Sequence, residues 1–134
     1  MIVVDTNIIA GMTFPTDNSS VANLLHQKDP VWEAPVLWKS EFLNILSLFC
    51  REGLIDYQEA LDALDFAERL VGSREHPVSA RAILDAAATT SFSAYDCEFI
   101  VLAKQLGTKL ITTNKKLTEQ FPDIALTPEA YLEP

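Results

Sequence analysis

Apolar residues follow two rhythms along this chain. Ile2-Val3-Val4 is a β-branched run too short for a helix and is broken by the polar triplet Asp5-Thr6-Asn7, which predicts a buried strand. A loop is expected through Gly11, Pro15 and Asp17-Asn18-Ser19-Ser20. Next comes a short helix carrying Val21, Ala22, Leu24 and Leu25, capped by Asn18 or Ser19 and finished before Pro30. Ala34-Pro35-Val36-Leu37 predicts a second strand, with Pro35 tolerable near its start. From Trp38 the spacing turns helical: Trp38, Phe42, Ile45, Leu46 and Phe49 recur on one face, and Gly53 follows as a stop signal. Tyr57 to Val71 repeats the pattern with Ala60, Leu61, Leu64 and Leu70, ended by Gly72.

An Ala-rich helix is expected from Val78 to Ala88 behind Pro77. The stretch from Asp96 to Leu106 is apolar almost all round, so it predicts a buried helix stopped by Gly107. A strand at Lys109 to Thr112, a short helix at Lys115 to Gln120 and an edge strand at Ile124 to Leu126 complete the pattern. Short strands alternating with helices predict a three-layer α/β/α sandwich, with a short, mostly parallel central sheet and right-handed crossovers. At 134 residues, with no linker, repeat or low-complexity segment, a single domain over residues 1–134 is expected.

Composition narrows the function. With 49% hydrophobic and 22% charged residues the chain has the apolar mass to fold. Nineteen acids against ten bases give a net charge of -9, which argues against duplex binding through a broad basic surface. Nucleic acid survives as a substrate, because a metal ion can supply the positive charge that the protein lacks. Cys50 and Cys97 stand alone, so neither a disulfide framework nor a zinc site is indicated, and a cytoplasmic location is expected. No apolar stretch approaches ~18 residues and Met1 leads straight into a strand, so neither export nor a membrane span is expected.

In an open parallel sheet, ligands bind beyond the carboxyl ends of the strands. Asp5 closes the first strand, Asn114 lies just past the strand at Lys109 to Thr112, Glu41 is one turn into the Trp38 helix, and Asp96 opens the buried helix. Each alone has an ordinary explanation: a turn residue or N-cap for Asp5, an N-cap favoured by the helix dipole for Asp96, a solvated acid for Glu41. Glu41 nevertheless stands in a largely apolar helix and needs a partner; Asn44, three residues on, faces the same way and can orient its carboxylate. Three acids and two amides at one sheet edge meet the demand of Mg²⁺ or Mn²⁺ for oxygen ligands. Lys39, Lys115 and Lys116 flank the same strand ends and suit contacts to nucleic-acid phosphates, with plain solubilising lysines as the alternative. Trp32, Trp38, Phe92 and Tyr95 offer base stacking, with apolar packing favoured for Trp38 and Tyr95. His26 and His76 have no partner at ligand spacing, and no Gly-rich phosphate loop exists.

Taken in order, Ile2-Val3-Val4-Asp5-Thr6-Asn7, Ser40-Glu41-Phe42-Leu43-Asn44, Ser93-Ala94-Tyr95-Asp96 and Leu110-Ile111-Thr112-Thr113-Asn114 resemble the motifs of PIN-domain ribonucleases. The likeness is greatest to the VapC-type toxins of bacterial and archaeal toxin-antitoxin pairs, and it runs from Met1 to about Leu126. It implies a PIN-like fold and a metal-dependent endoribonuclease that hydrolyses RNA phosphodiester bonds, usually as a homodimer held inactive by a small antitoxin. Carried over by position, Asp5, Glu41 and Asp96 are the catalytic, metal-binding acids, with Asn7 and Thr112 in support. Asn114 departs from the pattern, since the family generally has a fourth Asp there; an amide can ligate through oxygen but brings no charge and cannot act as a base. The alternative is therefore a catalytically weakened PIN-like module that binds RNA or a protein partner. An aspartyl-nucleophile phosphatase would need an acid where Asn7 stands. The apolar surplus of the two helices from Trp38 to Val71, including Phe49, Leu54, Ile55 and Phe66, predicts a two-fold dimer with a nearby groove for an antitoxin peptide.

Overall fold

The computed structural model describes residues 1–134. Its sheet has five strands: β1 (Ile2–Val4), β2 (Trp32–Pro35), β3 (Glu75–His76), β4 (Leu110–Ile111) and β5 (Ala125–Leu126). Their order is β3-β2-β1-β4-β5 and every neighbouring pair is parallel. A fully parallel sheet needs cover on both faces, and alternation along β1 provides it. Ile2, Val4 and Ile111 pack into one core with helices α1 (Thr6–Thr13), α2 (Ser19–Lys28), α3 (Trp38–Arg51) and α4 (Tyr57–Val71). Val3, Leu110 and Ala125 point the other way, into a core built on α6 (Ala94–Leu106). Helix α5 (Ala80–Ala88) packs on α6, which buries Cys97 and Phe99 through Ala103 as its composition demands and stops at left-handed Gly107. Helices α7 (Lys115–Gln120) and α8 (Pro128–Leu132) close the chain. The expected three-layer sandwich is the observed architecture.

Several local expectations are corrected. The stretch after β1 is a helix, not a loop: Asp5 caps α1, and Ile8, Ile9, Ala10 and Gly11 are buried by its packing, which overrides their modest helix propensity. β2 begins two residues early, at Trp32, whose ring is fully buried and closed to base stacking. Tyr95, expected to pack, is exposed, whereas Phe92 rests on Phe121. His76 has a partner after all: Glu33, buried in β2, holds His76 Nε2 at 3.0 Å and Arg74 Nε at 3.3 Å, and this cluster fixes the two-residue strand β3. Ile55 is buried and Phe49 packs edge-on against Phe14, so neither contributes to an exposed apolar surplus. No helix is long and apolar enough to cross a membrane.

The chain moves outward from β1 to β2 and β3, then returns to add β4 and β5 on the opposite side. The direction of winding reverses between β1 and β4. Beyond their carboxyl ends the connections diverge and leave a crevice.

Candidate active site

Asp5 lies at that crevice because β1 ends there. Its Oδ1 accepts the Ile8 N–H at 3.0 Å and caps α1, while Oδ2 accepts from the Thr112 hydroxyl at 2.8 Å, the Thr113 N–H at 2.7 Å and the Thr113 hydroxyl at 3.1 Å. Burial pushes the Asp5 carboxyl above its usual range, and these four donors pull in the opposite direction. The carboxylate is therefore both desolvated and rigidly aimed, with β1, α1 and the segment after β4 all converging on it.

Glu41 enters from the first turn of α3 and Asp96 from the first turn of α6. The buried Thr6 hydroxyl donates to Glu41 Oε1 at 2.8 Å. Desolvation raises the Glu41 pKa first, and the charges of Asp96, Asp5 and Glu98 raise it further against the lowering effect of Thr6. Asp5, Glu41 and Asp96 line one cavity of about 320 Å³, and no Lys, Arg or His shares its lining. Such a concentration of uncompensated carboxylates attracts a cation.

The remaining expected residues divide. Thr112, Asn7, Asn44 and Asn114 all line the cavity. Thr112 supports Asp5 directly, and Asn7 Nδ2 reaches Thr113 Oγ1 at 3.4 Å. Thr6, not Asn44, is the group that holds the Glu41 carboxylate. Asn114 Oδ1 caps α7, accepting the N–H groups of Lys116 at 3.1 Å and Leu117 at 3.4 Å, so its oxygen is already engaged. Lys39 lies outside the cavity lining and pairs with Glu68 at 3.4 Å. Lys115 and Lys116 are exposed in the first turn of α7, beside Asn114. Thr6, Thr113 and Glu98 carry little chemical signal in the sequence; for Thr6 and Thr113 it is only a hydroxyl beside Asp5 and Asn114. Glu98, half-buried two residues past Asp96 and near the Leu37 N–H, gave no signal apart from being a second acid in an apolar helix.

The donor set tests whether a divalent ion fits. No three carboxylate, His or Cys side chains stand close enough together to ligate one ion directly, so an ion here would be held partly through water. The oxygens available suit Mg²⁺, which keeps several waters and takes one or two protein carboxylates. Asp5, Glu41 and Asp96 would share such a hydrated ion.

A parallel sheet reversed at its first strand, with acids gathered at the reversal, is an arrangement suited to metal-assisted chemistry on an anionic substrate. The chain belongs to the PIN domain family, whose model matches residues 2–121. It is 28% identical over 124 residues to ribonuclease VapC3 of Pyrobaculum aerophilum, an alignment that takes in 90% of this chain and 95% of that protein. Its fold is also that of VapC20 of Mycobacterium tuberculosis, described as a Sarcin-Ricin loop cleaving toxin, with a TM-score of 0.64 at 16% identity over 90% of this chain and 95% of the other.

Proposed function

We propose that this protein is a divalent-metal-dependent endoribonuclease, the toxin of a toxin-antitoxin pair acting in the cytoplasm. The observation that carries the reading is the cavity at the β1/β4 reversal, lined by Asp5, Glu41 and Asp96 without a basic side chain. Membership of the PIN family and similarity to a named ribonuclease support RNA as the substrate. Bound Mg²⁺ or Mn²⁺ would lower the pKa of a water and offset charge on the scissile phosphate. Asp5, locked by four donors, fixes the position of the site. Thr6 holds Glu41 Oε1, which leaves Oε2 to take the proton of the attacking water; the raised basicity of this carboxylate suits that task. Asp96, with no hydrogen-bond partner for its side chain, is free to adjust to a hydrated ion or to the substrate.

The test measures cleavage of one RNA in Mn²⁺ by wild type, Asp96→Asn and Asn114→Asp, with folding checked by circular dichroism. Wild type cuts, Asp96→Asn falls roughly 10²- to 10⁴-fold, and Asn114→Asp is equal or faster because it keeps the α7 cap and adds a charge. An inert wild type beside an active Asn114→Asp would instead identify a weakened module.

The exposed side chains of Leu48, Leu54 and Phe66 on and between α3 and α4 form the apolar surface we assign to a homodimer. A groove of about 520 Å³ between these helices, lined by Leu43, Leu46, Leu61 and Leu64, suits an apolar antitoxin segment. Sedimentation at micromolar concentration should give a dimer; a monomer that stays monomeric on concentration would remove the dimer assignment.

A further inference from the structure

A second cavity, of about 380 Å³, shares Asn7 and Ile45 with the carboxylate cavity and so continues it along the surface. Its chemistry is different. One wall is apolar, with Ile45 and the ring of Phe49, which is held edge-on by Phe14. The turn before α2 also lines it, with Thr16, Asp17 and Asn18. That turn is cross-tied: Thr16 N–H donates to Ser19 Oγ at 2.9 Å, Ser19 Oγ donates to the Phe14 carbonyl at 3.1 Å, and Asn18 N–H donates to Thr16 Oγ1 at 3.0 Å. It also lies directly on Gly11, where an added Cβ would meet the Asn18 carbonyl carbon at 3.0 Å. Asn18 occupies the N-cap position of α2, yet its side chain makes no capping bond. The amide thus keeps both its donors and its acceptor, on a cross-tied turn that lines the same cavity as Ile45 and Phe49.

We infer that this cavity receives the nucleobase of a nucleotide adjoining the scissile phosphate, and that the Asn18 amide reads that base. The inference rests on the ribonuclease reading of the neighbouring cavity. A flat, apolar ligand with a donor beside an acceptor on its edge fits a cavity that offers both an apolar wall and an amide, and single-stranded RNA presents such edges once its bases are unstacked. A phosphate does not fit: the cavity lining offers no cation and includes Asp17. The shared Asn7, which also touches Thr113 at the carboxylate cavity, makes the two cavities direct neighbours, so a base in one belongs to a nucleotide close to a phosphate in the other.

The experiment has two arms that fail independently. In the first, the four unphosphorylated ribonucleosides are titrated into wild type while the side-chain amide resonance of Asn18 and the ring resonances of Phe49 are followed by NMR. One nucleoside should shift both sets at millimolar concentration, and Asn18→Ala should abolish the discrimination among the four. In the second, a randomised single-stranded RNA pool is cleaved in Mn²⁺ and the ends sequenced. Wild type should show a base preference at one position flanking the cut, and Asn18→Ala should reduce that preference ~10-fold. Asn18-dependent nucleoside binding without cleavage would keep base recognition in this cavity but overturn both the ribonuclease reading and the placement of the base beside a scissile phosphate. Cleavage with no base preference, or with a preference untouched by Asn18→Ala, and no nucleoside shifts, would overturn the inference alone.

Discussion

Asp5 and Asp96 line the same cavity but have opposite structural obligations. Asp5 satisfies two backbone N–H groups and two hydroxyls, whereas the Asp96 side chain satisfies none. Removing the Asp5 carboxylate deletes the α1 cap and leaves the Thr113 N–H without its acceptor, so Asp5→Ala should cost about 1–3 kcal/mol of stability. Asp96→Asn relieves repulsion on Glu41 and should stay within ~0.5 kcal/mol of wild type. Urea denaturation of both variants without metal measures the contrast; equal losses would contradict the assignment of Asp5 as the structural anchor. The sequence displayed the acids but not this division, because nothing in the spacing of Asp5 and Thr112 indicates that strands β1 and β4 are neighbours.

At the scale of elements, legibility followed the strength of the hydrophobic period. Helices α3, α4 and α6 were readable because their apolar stripes are long and end in Gly or polar residues, and β1 because three β-branched residues stop at an acid. Helix α1 was not, since Gly11 and β-branched Ile8 and Ile9 give a weak local signal that only tertiary packing converts into a helix. Strand β3 depends on a buried Glu33 that no local pattern announces, and α8 is a five-residue turn of helix capped by Thr127. Gly11 marks where α1 and the turn before α2 approach most closely. Gly11→Ala gains ~1 kcal/mol of helix propensity but must displace the backbone of Asn18, an overpacking cost of ~1–3 kcal/mol. With the turn cross-tied, a net loss of up to about 2 kcal/mol is expected in a thermal or urea melt; a stabilised variant would contradict the tight approach.

For the whole molecule, the acidic cavity couples stability to pH and to metal. Asp5 and Glu41 both have carboxyls raised above their ordinary range, chiefly by burial. In the window between the unfolded and the raised folded values the native state holds more protons than the unfolded chain, so these groups contribute less stability as pH rises through it. Without metal, stability should therefore decline from the ordinary carboxylate range upward until both groups are ionised. Millimolar Mn²⁺ should flatten that decline by binding the ionised native form. Melts at several pH values with and without Mn²⁺ read this directly, and curves that rise with pH or ignore Mn²⁺ would contradict it.

The strand order has a consequence for how the chain is made. β1 leaves the ribosome first, yet its site partners, Thr112 and Thr113, lie 107 and 108 residues downstream of Asp5. Until β4 has been synthesised and docked, the Asp5 carboxylate lacks three of its four donors and the crevice has only one wall. A nascent chain therefore carries no formed acidic cavity until Thr112 and Thr113 have been made and docked against Asp5.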